Sequence, residues 1–334
     1  MNVYSLARPF LFSLDAENAH QVALRTAGIA SLFSAPVPRA PVRVMGIDFP
    51  NPVGAAAGLD KHAEHVNAMA SLGFGFLELG GVTPQPQPGN ARPRLFRIER
   101  ARAIINRFGL NSIGVEAFAD NLRRARSSAV IGVNIGKNKD TPNERAVDDY
   151  VRCLEVLYPY VHYLAINVSS PNTAGLRELQ AAQTLAALLR TMREKREALR
   201  ERHGRNVALA LKISPDIDDA AMADIADAAR RERMDALIAT NTTISREGVA
   251  GLPYGGEAGG LSGAPLRERS TRVLRRFAAL LKGEIPLIGC GGIMSGADAR
   301  EKFDAGASLV QIYSGLVFRG PELIAECVSA YRAR

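Results

Sequence analysis

From about residue 52 onward, short apolar runs alternate with stretches whose apolar positions recur at helical spacing. Runs at 52–57, 75–79, 130–135, 161–166, 207–213, 236–240, 286–289 and 308–313 predict eight buried strands. Between them, Val147, Val151 and Leu154, then Leu185, Leu188, Leu189 and Met192, then Met222, Ile225, Ala226 and Ala229 each form one apolar helical face. Leu274, Phe277, Ala278 and Leu281 form another, and Ile324, Cys327, Val328 and Tyr331 the last. Eight strands each followed by a helix predict an α/β chain folded as a (β/α)8 TIM barrel. The alternative, an open doubly wound sheet, would call for a Gly-x-Gly-x-x-Gly turn after the first strand, and the chain has none there.

Residues 1 to about 40 fall outside this rhythm. Leu6, Phe10, Leu11 and Leu14 make one apolar helical stripe and Val22, Leu24, Ala27 and Ile29 a less regular second, before the break at Pro36-Val37-Pro38. Pattern alone favours two short helices that cap the bottom of the barrel, with an apolar face dipped into a membrane interface as the functional alternative. Pro84, Pro86 and Pro88 run into Gly89 and predict a stiff, extended loop, and the connection 83–112 is long for a barrel loop.

A chain of 334 residues with 47% apolar content has ample material for a core. Cys153, Cys290 and Cys327 are too few and too scattered for a disulfide framework or a zinc site, so free thiols in a reducing compartment and no metal are expected. The net charge of +8 is spread along the chain, notably over 190–205, which reads as a solvated helix face. That charge fits an anionic substrate or lipid surface, and no groove-reading motif points to nucleic acid. No apolar run approaches the roughly 20 residues of a membrane span, and no secretory signal pattern is present, so the cytosolic side is expected.

Polar and glycine residues recur where the predicted strands end, the face on which barrels build active sites. Strand one leads into Ala57-Gly58-Leu59-Asp60-Lys61, strand three into Asn134-Ile135-Gly136-Lys137-Asn138, and strand four into Asn167-Val168-Ser169-Ser170-Pro171-Asn172-Thr173. Strand six ends Thr240-Asn241-Thr242-Thr243. The glycines of 289–292 and 259–263, with Tyr313-Ser314-Gly315, read as a phosphate cradle after strands seven and eight, against tight-turn glycines as the plainer reading. Lys212 points inward from strand five and must face a negative charge. That charge could be the pyrimidine edge of a flavin or a structural ion-pair partner, and a Schiff base is a further possibility. Asn106, Asn134, Asn167, Asn172 and Asn241 each offer a donor and an acceptor to a heterocycle. None of the five histidines sits by a strand end with a serine, which leaves a Ser-His-Asp triad unsupported.

Ala57 to Lys61, Asn106-Arg107-Phe108-Gly109-Leu110, Asn167 to Thr173, Ala239 to Thr243 and Gly259 to Gly263 together resemble the dihydroorotate dehydrogenase family, over nearly the whole chain. The resemblance implies an FMN-bearing barrel, residues 41–334, that oxidises (S)-dihydroorotate to orotate in pyrimidine synthesis. It makes Ser170 the base that takes the C5 proton while hydride leaves C6. It assigns Lys61, Asn106, Arg107, Phe108, Gly109, Leu110, Asn167, Asn172, Asn241 and Thr242 to the substrate. To FMN it assigns Ala57, Gly58, Leu59, Asp60, Lys61, Gly81, Asn134, Asn167, Lys212, Thr240, Gly263, Gly292, Tyr313 and Ser314. Serine at position 170, where soluble class 1 members carry cysteine, and the extension over residues 1–40 resemble class 2, the membrane-associated, quinone-reducing branch. On that resemblance the two helices become the mouth of a quinone tunnel, with His20, Arg97 and Tyr313 at its inner end, in a monomer peripheral to the cytoplasmic side of the cell membrane. Two departures stand out: Gly81 where relatives usually have threonine, and Leu110 where many have phenylalanine.

Overall fold

The computed structural model describes residues 3–32, 36–173 and 175–334. Two helices come first, α1 (Val3–Ser13) and α2 (Ala16–Ser31), and the Asp15 carboxylate caps the second by accepting from the N–H groups of Glu17 and Asn18. An antiparallel hairpin follows, β1 (Val42–Val44) and β2 (Ile47–Phe49). The chain then runs β3 (Val53–Ala55), α3 (Val66–Ser71), β4 (Phe76–Val82), β5 (Leu95–Ile98), β6 (Ala103–Asn106), α4 (Val115–Arg124), β7 (Val130–Ile135), α5 (Ala146–Leu157) and β8 (Tyr163–Asn167). It continues with α6 (Ala182–His203), β9 (Ala208–Ile213), α7 (Asp219–Arg231), β10 (Ala236–Ala239), β11 (Gly260–Gly263), α8 (Arg267–Leu281), β12 (Leu287–Cys290), α9 (Gly296–Asp304), β13 (Ala307–Ile312), α10 (Ser314–Arg319) and α11 (Glu322–Arg332).

Strands β3, β4, β7, β8, β9, β10, β12 and β13 pair in parallel, and β13 returns to β3 to close the barrel. All eight predicted strands are present, with ends that agree to within three residues. The periodic apolar faces pack as predicted: Leu185, Leu188, Leu189 and Met192 of α6 are buried, as are Met222, Ile225, Ala226 and Ala229 of α7. Gly204, in the left-handed conformation at φ 64°, ends α6.

The bottom of the barrel is closed by the hairpin β1–β2 and not by the N-terminal helices. Val44 and Phe49 join Phe76, Val130, Tyr163, Ile238, Ile288 and Leu309 in one buried cluster at the amino ends of the strands. Phe76 packs edge-on against Phe49, with ring centroids 5.3 Å apart, and against Tyr163 at 6.3 Å. Two glycines make room for these rings. A Cβ on Gly54 would lie 2.3 Å from Phe76, and one on Gly132 would lie 2.0 Å from the Tyr163 ring.

At the opposite, carboxyl end, the long connection 83–112 is itself structured. Within 83–112 the chain forms the antiparallel pair β5–β6, and β6 also pairs with β11, with Asn106 opposite Gly260 and Ala103 opposite Gly263. This small sheet roofs the barrel mouth. Helix α2 packs on α3 and β5, beside that roof.

Candidate active site

The strand period of two decides what enters the barrel, and along the carboxyl halves of the strands the inward positions are polar. Glu78 of β4, Asn134 of β7, Lys212 of β9 and Gln311 of β13 meet there, all buried. Glu78 Oε1 accepts from Lys212 Nζ at 3.0 Å and Asn134 Nδ2 at 3.2 Å; its Oε2 accepts from Gln311 Nε2 at 2.6 Å and the Tyr163 hydroxyl at 3.1 Å. Burial pushes the Lys212 ammonium down, but Glu78 outweighs it and holds the lysine above its usual value. The negative charge that Lys212 requires is therefore supplied inside the protein, while the lysine also lines the cavity above. The sequence reading missed Glu78, Gln311 and Tyr163. The signal was available, because a lone carboxylate within Phe76-Leu77-Glu78-Leu79 must be paired if it is buried.

Above this charged layer the amides continue the network. Asn167 Nδ2 donates to Asn134 Oδ1 at 2.9 Å, and Asn167 Oδ1 accepts from the Ser169 N–H and hydroxyl and from Asn241 Nδ2. Asn241 Oδ1 accepts from the Thr242 N–H at 2.8 Å. Asn172 Nδ2 donates to Asn106 Oδ1 at 3.0 Å, which ties the strand-four loop to the roof. Each carboxamide is thus held in one orientation, with its remaining polar capacity turned to the cavity. Ser170 is buried, and its Oγ accepts from the Asn172 N–H at 3.3 Å. Arg177 secures the same loop: it donates to the carbonyls of Ser169 and Thr242 and pairs with Asp216.

The cavity and its open mouth together hold about 1040 Å³ of space between atoms. Of the predicted substrate and flavin residues, it brings together Ala57, Gly58, Lys61, Gly81, Asn106, Phe108, Gly109, Leu110, Asn134, Asn167, Ser170, Asn172, Lys212, Thr240, Asn241, Thr242, Gly263, Gly292, Tyr313 and Ser314. Asp60 and Arg107 are turned elsewhere. The Asp60 carboxylate accepts from the N–H groups of Glu64 and His65, and Arg107 pairs with Glu257 while stacking on Phe96. Leu59 lines a second cavity. The two departures meet: a Cβ on Gly81 would lie 2.8 Å from Leu110 Cδ2 and 3.2 Å from Asn134 Oδ1, so Leu110 occupies the space a larger residue 81 would need.

At one end of the cavity Gly263, Gly291 and Gly292 adopt φ of 98°, 115° and 79°, beside the start of α10. The N–H groups of Gly291, Gly292, Ser314 and Gly315 have no acceptor among the described residues. A Cβ on Gly292 would strike Arg267 Cα at 2.2 Å, and one on Gly315 the Ile293 carbonyl oxygen at 2.2 Å. Ser262 and Ser314 join by hydroxyls 2.8 Å apart, which fixes the roof against α10. A concave run of free N–H groups that admits no side chain is the geometry that holds a phosphate. This end of the cavity fits that of a flavin mononucleotide.

At the other end, Lys61 Nζ lies 4.9 Å from the Phe108 ring centroid, and the Arg94 guanidinium lies 5.2 Å from it. Burial and Arg94 push the Lys61 ammonium down to about 8. Arg94 in turn pairs at 2.8 Å with buried Glu17 of α2. Burial pushes Glu17 up, but Arg94 and Arg92 outweigh it and hold its carboxyl below the usual range.

The second cavity, about 1180 Å³ with its opening to solvent, lies under α1 and α2 and is lined mostly by apolar residues, among them Leu11, Phe12, Leu24, Met69 and Val317. His20 and Arg97 line it, and Tyr313, Leu95 and Ile104 line both cavities. Burial, offset in part by a hydrogen bond with Leu59, pushes the His20 imidazole down to about 4, so it is neutral at physiological pH. Arg97 donates to the carbonyls of Leu11, Phe12 and Leu14, which fastens the end of α1 over the chamber. No described helix is long and apolar enough to cross a membrane.

The family model of dihydroorotate dehydrogenase matches residues 39–330. The chain is 56% identical over 331 residues to the dihydroorotate dehydrogenase (quinone) of Thiobacillus denitrificans, covering 98% of each chain. It is 55% identical over 337 residues to that of Ralstonia nicotianae, again over 98% of each. Ligand-free dihydroorotate dehydrogenase of Eimeria tenella superposes with a TM-score of 0.88 at 37% identity, covering 95% of this chain and 94% of the other. Its complex with ferulenol gives 0.86 at 36%, over 94% and 90%. With sequence and structure alike over nearly the full length, the chain belongs to the dihydroorotate dehydrogenase family, and within it to class 2.

Proposed function

We propose that this chain oxidises (S)-dihydroorotate to orotate in pyrimidine synthesis, with FMN in the polar chamber and a membrane quinone in the apolar one. One observation carries the reading: a chamber holding Ser170, Lys61 and a glycine cradle shares a wall, Tyr313, Leu95 and Ile104, with an apolar chamber that lies under the N-terminal helices. FMN, when bound, supplies the hydride acceptor for C6 of dihydroorotate and the route of the electrons to quinone. The residues that would hold it are Ala57, Gly58, Asn134, Asn167, Lys212, Thr240, Gly263, Gly292, Tyr313 and Ser314, the Lys212 ammonium suited to an electron-rich ring and the glycine N–H groups to a phosphate.

Ser170 takes the C5 proton as its own hydroxyl proton passes on to water or a threonine-lined relay. A serine is a weak base, and a buried, water-poor setting with fixed amide dipoles favours the transfer. Lys61, ammonium below about pH 8, pairs with the substrate carboxylate. Asn106, Asn172, Asn241 and Thr242 match the donors and acceptors of the ring, and Asn167 serves both ligands. Residues 1–40 form the quinone-tunnel extension and 41–334 the FMN barrel; positions 1, 2 and 33–35 of the extension lie outside the described residues. Exposed Leu6, Phe10, Ile29 and Leu32 on α1, α2 and just beyond rest on the cytoplasmic face of the membrane, and the protein is a peripheral monomer.

The test is an anaerobic addition of dihydroorotate to the purified protein. The flavin absorbance should bleach and should recover with a ubiquinone analogue but not with fumarate or NAD. A flavin-loaded sample that does not bleach removes the substrate assignment. Ser170→Ala should keep flavin bound and slow the bleaching by about 10²-fold or more, and near-normal bleaching removes Ser170 from its role.

A further inference from the structure

Lys302 of α9 is wholly buried behind the Gly291–Gly292 turn. Its Nζ donates to Ser270 Oγ at 2.5 Å, Thr271 Oγ1 at 2.7 Å and the Arg267 carbonyl at 3.2 Å, all neutral groups on α8. No carboxylate oxygen comes within 4.0 Å of it among the described residues. Three acids lie on its own helix, and all are engaged: Asp298 accepts from Arg267, the Met294 N–H and Ser295, Glu301 faces Arg267 and Arg275, and Asp304 faces Arg300 and Arg334. Cys290 of β12 and Arg267 of α8 complete the titratable and charged groups around it. Burial pushes the Lys302 ammonium down to about 7. A buried cation with only neutral acceptors is expensive, and such a group is retained where something else supplies the opposite charge.

The structure shows where that charge would sit. Ser270, which receives Lys302, has its hydroxyl 3.0 Å from both the Gly291 and the Arg267 carbonyl oxygens, and so shares its one hydrogen between them. Gly291 and Gly292 line the cavity, at left-handed φ and with free N–H groups. Lys302 is therefore one hydroxyl removed from the turn that forms the anion cradle.

We propose that Lys302 is the hidden counter-charge of the cradle, a positioning residue that sets the Gly291–Gly292 turn through Ser270 and neutralises a phosphate dianion from behind. This rests on the flavin mononucleotide reading above. The attraction acts through a water-poor interior, where charges are screened least. Burial lowers the pKa of Lys302 towards the neutral range, so arrival of the dianion, which favours the ammonium, draws protons onto it at pH 8.

The full-length protein, stripped of flavin, is titrated at pH 8 with FMN and with riboflavin by calorimetry in two buffers of different ionisation enthalpy. A phosphomonoester is already a dianion at pH 8, so it takes up no proton of its own. FMN should bind with uptake approaching one proton and riboflavin with none. Lys302→Met, checked for folding by circular dichroism, should abolish the uptake and weaken FMN by ~10-fold or more while leaving riboflavin unchanged. If that variant does not fold, the comparison of FMN with riboflavin on the unaltered protein decides alone. Equal proton exchange for the two flavins, or FMN affinity unchanged in Lys302→Met, overturns the proposal. Failure of both flavins to bind overturns the flavin reading and this inference with it.

Discussion

Lys212 and Glu78 show how a single buried pair can define the floor of a site. Both are buried, Lys212 at the floor of the cavity, and each would be an uncompensated charge without the other. Glu78→Gln leaves the Lys212 ammonium unpaired and should destabilise the fold by about 3–5 kcal/mol, read from urea unfolding. Glu78→Gln with Lys212→Met should recover much of that loss, because the second change removes the orphaned charge; a double variant no more stable than the single one would show that the pair is not the source. Lys61 gives a second prediction. Its ammonium, held down to about 8 against an ordinary 10.5, is charged below that pH and neutral above it. The KM for dihydroorotate should therefore rise about tenfold per unit as pH climbs past 8, and Lys61→Met should be weak and flat across the same range. Ser170, the asparagines and Lys212 were legible in the sequence because polar side chains at strand ends have few other uses. Glu78 carried the signal of a lone carboxylate in an apolar strand, but its partners were not legible, nor was Gln311, because they lie 134 and 233 residues away.

At the scale of elements, the strands and helices of the barrel were legible from period alone, since a strand buried on both faces must be a continuous apolar run. The hairpin β1–β2 and the pair β5–β6 were not. Their strands are three or four residues long and, unlike the equally short β3, β10 and β12, stand outside the strand–helix alternation, and both gain their place by covering an end of the barrel. The roof matters because α2 is stapled to it. Glu17 accepts from Arg94 and Arg92, and Arg94 also donates to the carbonyls of Pro88 and Asn90, so one guanidinium ties the extension to the loop beside Lys61 and Phe108. Glu17→Ala should loosen α2 by about 3 kcal/mol, seen as faster amide exchange in α2 and β5 with the barrel strands unchanged. It should also lower the pH at which dihydroorotate affinity fades, because Glu17 supports the Lys61 ammonium and Arg94 opposes it. Equal exchange in variant and parent would mean that apolar packing alone docks the extension.

For the whole molecule, the consequence is a division of labour between two chambers that meet at Tyr313, Leu95 and Ile104. A polar chamber at the barrel mouth suits a charged, water-soluble substrate, and an apolar one under α1 and α2 suits a hydrophobic acceptor that never enters water. The same two helices turn Leu6, Phe10 and Ile29 outward, and Leu32 follows them, although a free surface helix would carry polar residues there. On the reading proposed above, these apolar side chains would rest against lipid, and the hydrophobic acceptor would pass from bilayer to protein without crossing solvent. Leu6→Glu with Phe10→Glu should abolish co-sedimentation with anionic vesicles and raise the apparent KM for a long-chain quinone by roughly tenfold or more, since each buried apolar side chain is worth about 1.5–3 kcal/mol. Anaerobic bleaching by dihydroorotate should be untouched, because neither residue reaches the polar chamber. Loss of bleaching in that variant would mean that the extension shapes the substrate site directly, and unchanged vesicle binding would move the membrane contact to another face.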